Sequence, residues 1–323
     1  MKILVTGGAG YIGSVLTRQL LNKGFKVKVL DKLMFGGDAL VDFFNNPNFE
    51  FQKGDIRIEK DLEMALEGID AVAHLAAIVG DPACALDTEI TKSINVDGAK
   101  LLYNLANKKG VKKFIFSSTC SNYGKMEDPN SFVNEDSKLA PVSLYAETKV
   151  EIEKFLLSQN KENVCKPTCL RFSTVYGASP RMRFDLTVNE FTKELAQGKE
   201  LIIFGEQFWR PYCHVEDLAR SVNAIIDADK SVVAFDVFNV GDTSENYQKQ
   251  MIVNEISKQI TDTKIKFVEK NEDPRDYRVS FNKIKTKLGF EITKTVPEGI
   301  KQVKEIIMNN VILDPDNSKY KNI

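Results

Sequence analysis

Residues 143–149 read SLYAETK, with Tyr145 and Lys149 four positions apart in a stretch of helical pattern. On a helix, that spacing puts both side chains on one face. An ammonium beside a phenol stabilises phenolate and lowers the phenol's pKa, which makes the pair an acid–base device. A tyrosine that packs and a lysine that reaches into water satisfy the same pattern, so the pair alone decides nothing. A second chemical signal stands at the start of the chain. TGGAGYIG places Gly7, Gly10 and Gly13 between an apolar run and a helical pattern. Glycines there permit a tight turn and let backbone N–H groups approach a pyrophosphate at the helix start. Asp31 then closes the next apolar run, KVKVLD. A carboxylate in that place accepts hydrogen bonds from an adenosine ribose and repels a 2′-phosphate, which favours NAD over NADP. Neighbouring Lys32 works against that preference, and a solvated turn residue is the ordinary alternative for Asp31.

These groups need a frame. KILVTG, KVKVLD, FEFQKGD, IDAVAHLAA, VKKFIFSST and KPTCLRFSTVYG are short apolar runs of strand character. Between them, YIGSVLTRQLLNKG, EKDLEMALEG, ITKSINVDGAKLLYNLANKKG and the YAETK stretch carry helical spacing. The alternation predicts an α/β fold, a Rossmann-type doubly wound parallel sheet with helices on both faces. Beyond Gly177 the pattern loosens. A loop and helix are expected over SPRMRFDLTVNEFTKELAQGK, a strand at ELIIFG, and a turn running into a helix over WRPYCHVEDLARSVNAIIDA. Short strands and two helical stretches follow, and the polar tail NSKYKNI is expected to fray. The division read from this is an NAD-binding domain over 1–177 plus about 211–240. A smaller C-terminal α/β substrate-binding domain covers 178–210 and 241–323.

Composition narrows the function classes. The chain has 323 residues, 43% hydrophobic and 28% charged, enough for a sizeable core. A formal net charge of −1 offers no basic excess for nucleic acid or a membrane surface. Cys84, Cys120, Cys165, Cys169 and Cys213 are odd in number and scattered, which argues against a disulfide framework and for a reducing compartment. His74 and His214 are the only histidines, so no zinc set is completed and no metal is expected. Glycines interrupt the apolar N-terminus, and no run of 18 apolar residues occurs. The expectation is a cytoplasmic protein with no membrane span.

Taken together, these motifs resemble the extended short-chain dehydrogenase/reductase family, and within it the nucleotide-sugar enzymes typified by UDP-galactose 4-epimerase. TGGAGYIG is similar to the family's glycine turn, which implies Gly7, Gly10, Tyr11, Ile12 and Gly13 as cofactor contacts. GDI at 54–56 resembles the adenine-contacting segment and adds Asp55 and Ile56. HLAA at 74–77 resembles a strand end lining the cofactor and adds Leu75, Ala76 and Ala77. IFSSTCSNYG is similar to the segment bearing the catalytic Ser/Thr, here Thr119, and YAETK supplies the family's Tyr145 and Lys149. LRFSTVYG, WRPYCHVEDLA and KNEDPRDYRVSF resemble its later substrate-domain signatures.

The resemblance implies a role for each residue. Tyr145 removes a sugar hydroxyl proton and Thr119 hydrogen-bonds the reacting oxygen. Lys149 holds the nicotinamide ribose and, with the nicotinamide charge, depresses the tyrosine pKa. Arg210 corresponds to the family arginine on the nucleotide diphosphate, with Lys270 as a second cation and Arg275 as its competitor. Ser173 stands where epimerases place an Asn near the diphosphate. Arg181 and Arg183 reach the sugar or phosphates on this reading, or are solvated. SPRMRFDL is similar to a subgroup acting on unusual activated sugars, including GDP-heptose 4-dehydrogenases. Dehydratases and decarboxylases of the family carry an acidic residue just after the catalytic Thr, whereas Cys120 and Ser121 follow here. The implied activity is NAD-dependent oxidation at C4 of a nucleotide sugar, as a 4-epimerase or as a net 4-dehydrogenase/ketoreductase. A non-catalytic dinucleotide-binding regulator is the remote alternative. A homodimer through the helices around Leu101 and Ile152 is also implied.

Overall fold

The computed structural model describes residues 1–126, 128, 131–269 and 275–322. Its strands, in chain order, are β1 Lys2–Thr6, β2 Lys26–Asp31, β3 Phe49–Lys53, β4 Ala71–His74, β5 Lys113–Thr119, β6 Lys166–Phe172, β7 Thr174–Tyr176, β8 Glu200–Phe204, β9 Trp209–His214, β10 Asp236–Val240, β11 Asn246–Gln248 and β12 Lys264–Val268. Seven of them form one parallel sheet in the order β10-β6-β5-β4-β1-β2-β3. The chain leaves β1 for β2 and β3 on one side and returns to place β4 on the other. The crevice beyond the C-terminal ends of β1 and β4 is therefore the topological switch point, where ligands bind in such sheets.

Alternation along each strand feeds two cores. Ile3, Val5, Val27, Val29 and Ile115 point into one, shared with the Tyr11–Asn22 and Val215–Asp227 helices. Leu4, Leu30, Phe114 and Phe116 point into the other, shared with the Ala99–Lys108 and Leu144–Leu157 helices. A sheet covered on both faces needs strands apolar on both sides, and these runs meet that need.

The second unit holds a three-stranded sheet, β11-β9-β7, and the parallel pair β12-β8. Its core gathers Tyr176, Val188, Tyr212, Ile252 and Ile300. The Val215–Asp227 helix and β10 return to the large sheet. β7 pairs with β9, Tyr176 opposite His214, so both belong to the small sheet. WRPYCH is a strand, where a turn was expected. Among the described residues three α-helices, Lys249–Ser257, Asn282–Leu288 and Val296–Met308, follow β11, where two helical stretches were expected. In the tail, Ser318–Tyr320 forms a helical turn and Tyr320 packs edge-on against Phe184.

Candidate functional site

The glycine turn is built by close approach. Gly7 has φ +76, and a Cβ on it would lie 2.7 Å from the Ala76 nitrogen at the end of β4. A Cβ on Gly13 would lie 2.1 Å from the Gly7 carbonyl oxygen. Side chains at either position would push the helix off the strand. The Tyr11–Asn22 helix has Gly10 as its N-cap, no side-chain cap and no acid in its first turn. Its first N–H groups and its positive end are thus left for an anion. The Tyr11 phenol is spent elsewhere. It donates to the Gly177 carbonyl and accepts from Asn189 Nδ2 at 3.0 Å, tying the turn to the second unit.

A cleft opens above this turn. Gly7, Gly10, Tyr11, Ile12, Gly13, Asp31, Asp55, Ile56, Leu75, Ala76 and Ala77, all implied as cofactor contacts, line it; Tyr145 and Lys149, implied as cofactor contacts too, are not among its lining residues. Asp31 accepts from the Ala9 and Leu33 N–H groups at 2.9 and 2.8 Å, which fixes its carboxylate at the end of β2. Burial pushes its pKa up, and the two backbone donors oppose that. The Arg57 guanidinium, 2.6 Å away, holds the Asp55 carboxyl well below its usual range, and Lys32 lies 3.0 Å from it. Lys32 is therefore engaged by Asp55, which reduces its pull beside Asp31. A narrow glycine cradle, an uncapped helix start and a fixed carboxylate at the second strand fit a dinucleotide such as NAD.

The Leu144–Leu157 helix starts at Ser143, whose hydroxyl accepts from the Ala146 N–H at 3.4 Å. From that start, Tyr145, Lys149 and Glu153 fall on one face at intervals of four. The Tyr145 hydroxyl has Thr119, at the end of β5, as its hydrogen-bond partner. Lys149 is buried, donates to the Ser117 carbonyl at 2.8 Å and lies 5.9 Å from the Tyr145 ring centre. Burial lowers its pKa to about 8.

The protein's own groups, without the nicotinamide charge, raise the Tyr145 pKa above the ordinary phenol value. Burial is the largest cause and Cys84 adds to it, while the Thr119 hydrogen bond and Arg183 oppose them. Lys149 turns its charge toward Ser117 and the Phe116 ring, 4.8 Å away.

The third member of the stripe went unread in the sequence. Glu153 is buried with Arg171 of β6, the Arg171 Nη2 2.8 Å from its carboxylate. It also accepts from Asn122 at 2.9 Å and from the Ser118 hydroxyl. Arg171 donates to the Tyr123 hydroxyl at 2.9 Å. This network locks the end of β5, and with it Thr119, to the helix that carries Tyr145. Asn95 was missed as well. It lies in a π-helical segment, Ser93–Gly98, inside what the sequence presents as one continuous helix. Its amide brackets Ile78, accepting from the N–H at 2.8 Å and donating to the carbonyl at 2.9 Å. That holds the cleft wall beyond β4. His74, buried and 2.7 Å from Thr6 Oγ1, has its pKa lowered to about 3 by burial and Lys149, so it stays neutral.

The residues implied for substrate separate. Arg181 and Arg183 line the dinucleotide cleft itself. Arg275 pairs with Asp81 at 2.8 Å, and the Asp81 charge acts weakly on Tyr145. Arg210 lies outside the cleft, over the Tyr277 ring at 5.2 Å; the Tyr277 hydroxyl is 3.4 Å from Ser121 Oγ, two residues past Thr119. Ser173 does not join them: its buried hydroxyl donates to the Val240 carbonyl at 2.7 Å and braces β6 against β10. Lys270 lies outside the described residues. The Cys120 thiol points to the Arg171 carbonyl at 3.2 Å, away from Tyr145. All five cysteines are buried and unpaired. Among the described residues no group of acidic, histidine and cysteine side chains has a metal-binding arrangement, and no helix is long and apolar enough to cross a membrane.

Comparison with known proteins agrees with this geometry. Residues 3–241 match the model of the NAD dependent epimerase/dehydratase family. A UDP-glucose 4-epimerase of Lactobacillus helveticus is 33% identical over 315 residues, covering 90% of this chain and 92% of that protein. A dTDP-glucose 4,6-dehydratase of Streptomyces griseus is 29% identical, covering 92% and 91%. The crystal structure of a Bacillus cereus UDP-glucuronic acid 4-epimerase in complex with UDP-glucuronic acid and NAD superposes with a TM-score of 0.85. It is 28% identical, covering 96% of this chain and 99% of that one.

Proposed function

Since the chain belongs to the NAD-dependent epimerase/dehydratase family, and is therefore an NAD-dependent enzyme, we propose that it oxidises a nucleotide-activated sugar at C4 and returns the hydride, as a 4-epimerase. One observation carries the choice over dehydration. Thr119 and Tyr145 share a hydrogen bond, and the two residues after Thr119 bring no carboxylate: Cys120 turns inward and the Ser121 hydroxyl faces Tyr277. Eliminating water from the sugar needs an acid at the leaving hydroxyl, and these two positions offer none.

When bound, NAD supplies the hydride acceptor and donor. In this reading Tyr145, as phenolate, takes the proton of the C4 hydroxyl through its oxygen, and gives it back when the carbonyl is reduced. Thr119 hydrogen-bonds the same sugar oxygen and holds it against Tyr145. Lys149 binds the nicotinamide ribose and keeps a positive charge beside the base. Burial alone disfavours phenolate, so phenolate forms only when further positive charge enters the site. Arg210 and Arg275 are proposed to bind the diphosphate, with the sugar between them and Thr119. A homodimer is part of the proposal, through the helices around Leu101 and Ile152, whose exposed faces bear Asn104, Glu151 and Lys154.

The test uses purified protein with a panel of UDP-, GDP- and dTDP-hexoses, followed by nuclear magnetic resonance of the sugars and NADH absorbance. Interconversion of a C4-epimer pair without accumulating NADH is the expected result. NADH formed in step with a 4-keto product would replace the epimerase by the 4-dehydrogenase, and a 4-keto-6-deoxy product would sink the argument from Cys120 and Ser121.

A further inference from the structure

Arg181 is buried in the dinucleotide cleft without a carboxylate of its own. It is 8% exposed, and its Nε–H has no partner among the described residues. One Nη donates to the Lys321 carbonyl at 3.0 Å, and the Phe35 ring covers the guanidinium at 4.5 Å. The nearby acid, Asp185, is taken by Arg183, two-pronged at 2.9 and 2.7 Å. A buried cation with a spare donor calls for an anion. Asn322 brings a second unsatisfied group to the same cleft: its Oδ1 is buried and unpartnered, while its N–H is held by Asp185 at 3.0 Å.

The segment that delivers Asn322 is anchored along its length. Asp316 bridges Lys193 and Lys199, each at 2.6 Å. The Tyr320 carbonyl accepts from the Phe184 N–H at 2.9 Å. Its far end meets the loop after Asp31 through Arg181 and Phe35, and there Met34 and Phe35 are exposed at 59% and 45%. Nothing in the substrate arrangement uses this segment.

We propose that Arg181 and Asn322 are NAD-binding residues and that Asp314–Asn322 is a strap across the adenosine half of the cleft, which slows NAD release. Arg181 donates to the adenosine-side phosphate; it stacks on Phe35, four residues past Asp31, and so stands on the adenosine side. The Asn322 carboxamide oxygen accepts from the ribose hydroxyls or the adenine amine. The inference rests on the NAD dependence above, and it moves Arg181 from the sugar to the cofactor.

The experiment titrates NAD and ADP-ribose into the dinucleotide-stripped enzyme by calorimetry and follows NADH release by stopped-flow fluorescence. UDP and GDP are titrated in parallel. Arg181→Gln should weaken NAD and ADP-ribose by the same factor, about ten- to hundredfold, the scale of a hydrogen bond to a charged group. UDP and GDP affinity should be unchanged. Asn322→Ala, and a chain ending at Leu313, should release NADH faster while binding it at a similar rate. Should the shortened chain fail to fold, Tyr320→Ala loosens the strap without removing it and is expected to do the same. NAD affinity and release equal to wild type in Arg181→Gln and Asn322→Ala would overturn the proposal. So would loss of nucleotide-sugar binding with NAD unaffected, which would return Arg181 to the substrate. A wild type that binds no NAD at all would instead refute the cofactor reading, a different result from either.

Discussion

Replacing Lys149 by Met should make the dinucleotide-free protein more stable at pH 7 while it weakens NAD binding. The Lys149 amine is 3% exposed and its pKa is lowered by burial from 10.5 to about 8. A base whose folded pKa lies below its unfolded one destabilises the fold wherever it is charged. That cost is complete below pH 8 and disappears as pH rises toward 10.5, because in this window the unfolded chain binds more protons than the folded one. That lowering amounts to about 3 kcal/mol. Met fills similar volume and carries no charge, but it abandons the Ser117 carbonyl, 2.8 Å from the amine, at about 1 kcal/mol. The net expectation is a gain of about 2 kcal/mol at pH 7, shrinking through pH 8 to 10 and turning slightly unfavourable above 10.5. Urea unfolding of wild type and Lys149→Met, stripped of dinucleotide and compared at intervals of one pH unit from 6 to 11, measures the difference. A variant less stable than wild type at pH 7, or a difference that stays flat between pH 8 and 10, would refute the reasoning.

Tyr145→Phe should keep the fold and NAD content and lose about two to four orders of magnitude in turnover, the contribution of a positioned acid–base group. With phenolate as the proposed working form, the wild-type rate should rise with pH through an ionisation that is missing from the variant's pH profile. Asp31→Ala removes the charge facing a 2′-phosphate and the acceptor of the Ala9 N–H, so the preference for NAD over NADP should narrow by about 1–2 kcal/mol, read from parallel titrations. Glu153→Gln leaves Arg171 buried without its counter-charge, and unfolding midpoints should show a loss of about 3–5 kcal/mol. Replacing both partners by Leu should recover much of that stability, but not turnover, since the end of β5 would no longer be fixed to the Tyr145 helix.

The sheet and the dinucleotide cleft were legible because they rest on local patterns. Gly7, Gly10, Gly13 and Asp31 signal through turn geometry and strand ends, and Tyr145 and Lys149 through a helix period. What the sequence hid depends on partners far along the chain. WRPYCH reads as a turn until β7 and β11 are present to pair with it. Glu153 continues the Tyr145–Lys149 spacing and invited notice, but its meaning comes from Arg171 across the sheet. Ser173 looked like a ligand contact from its place in a motif, yet β10 claims its hydroxyl. Asn322 lies in a polar stretch with no periodicity, so no local signal marks it.

The π-helical segment at Ser93–Gly98 also constrains how this chain can vary. It accommodates one more residue than a regular helix would over the same rise. Asn95 within it and Leu102, Tyr103 and Ala106 after it thereby all face inward. Deleting one residue from the regular turns on either side would rotate one flank by about 100° against the other, and either Asn95 would leave Ile78 or the apolar face would leave the core. Within the wide turn one residue can be lost by closing it to a regular helix with the flanks still in phase, so changes of length in this helix should concentrate at 93–98, around exposed Asp97, and be absent from its regular turns.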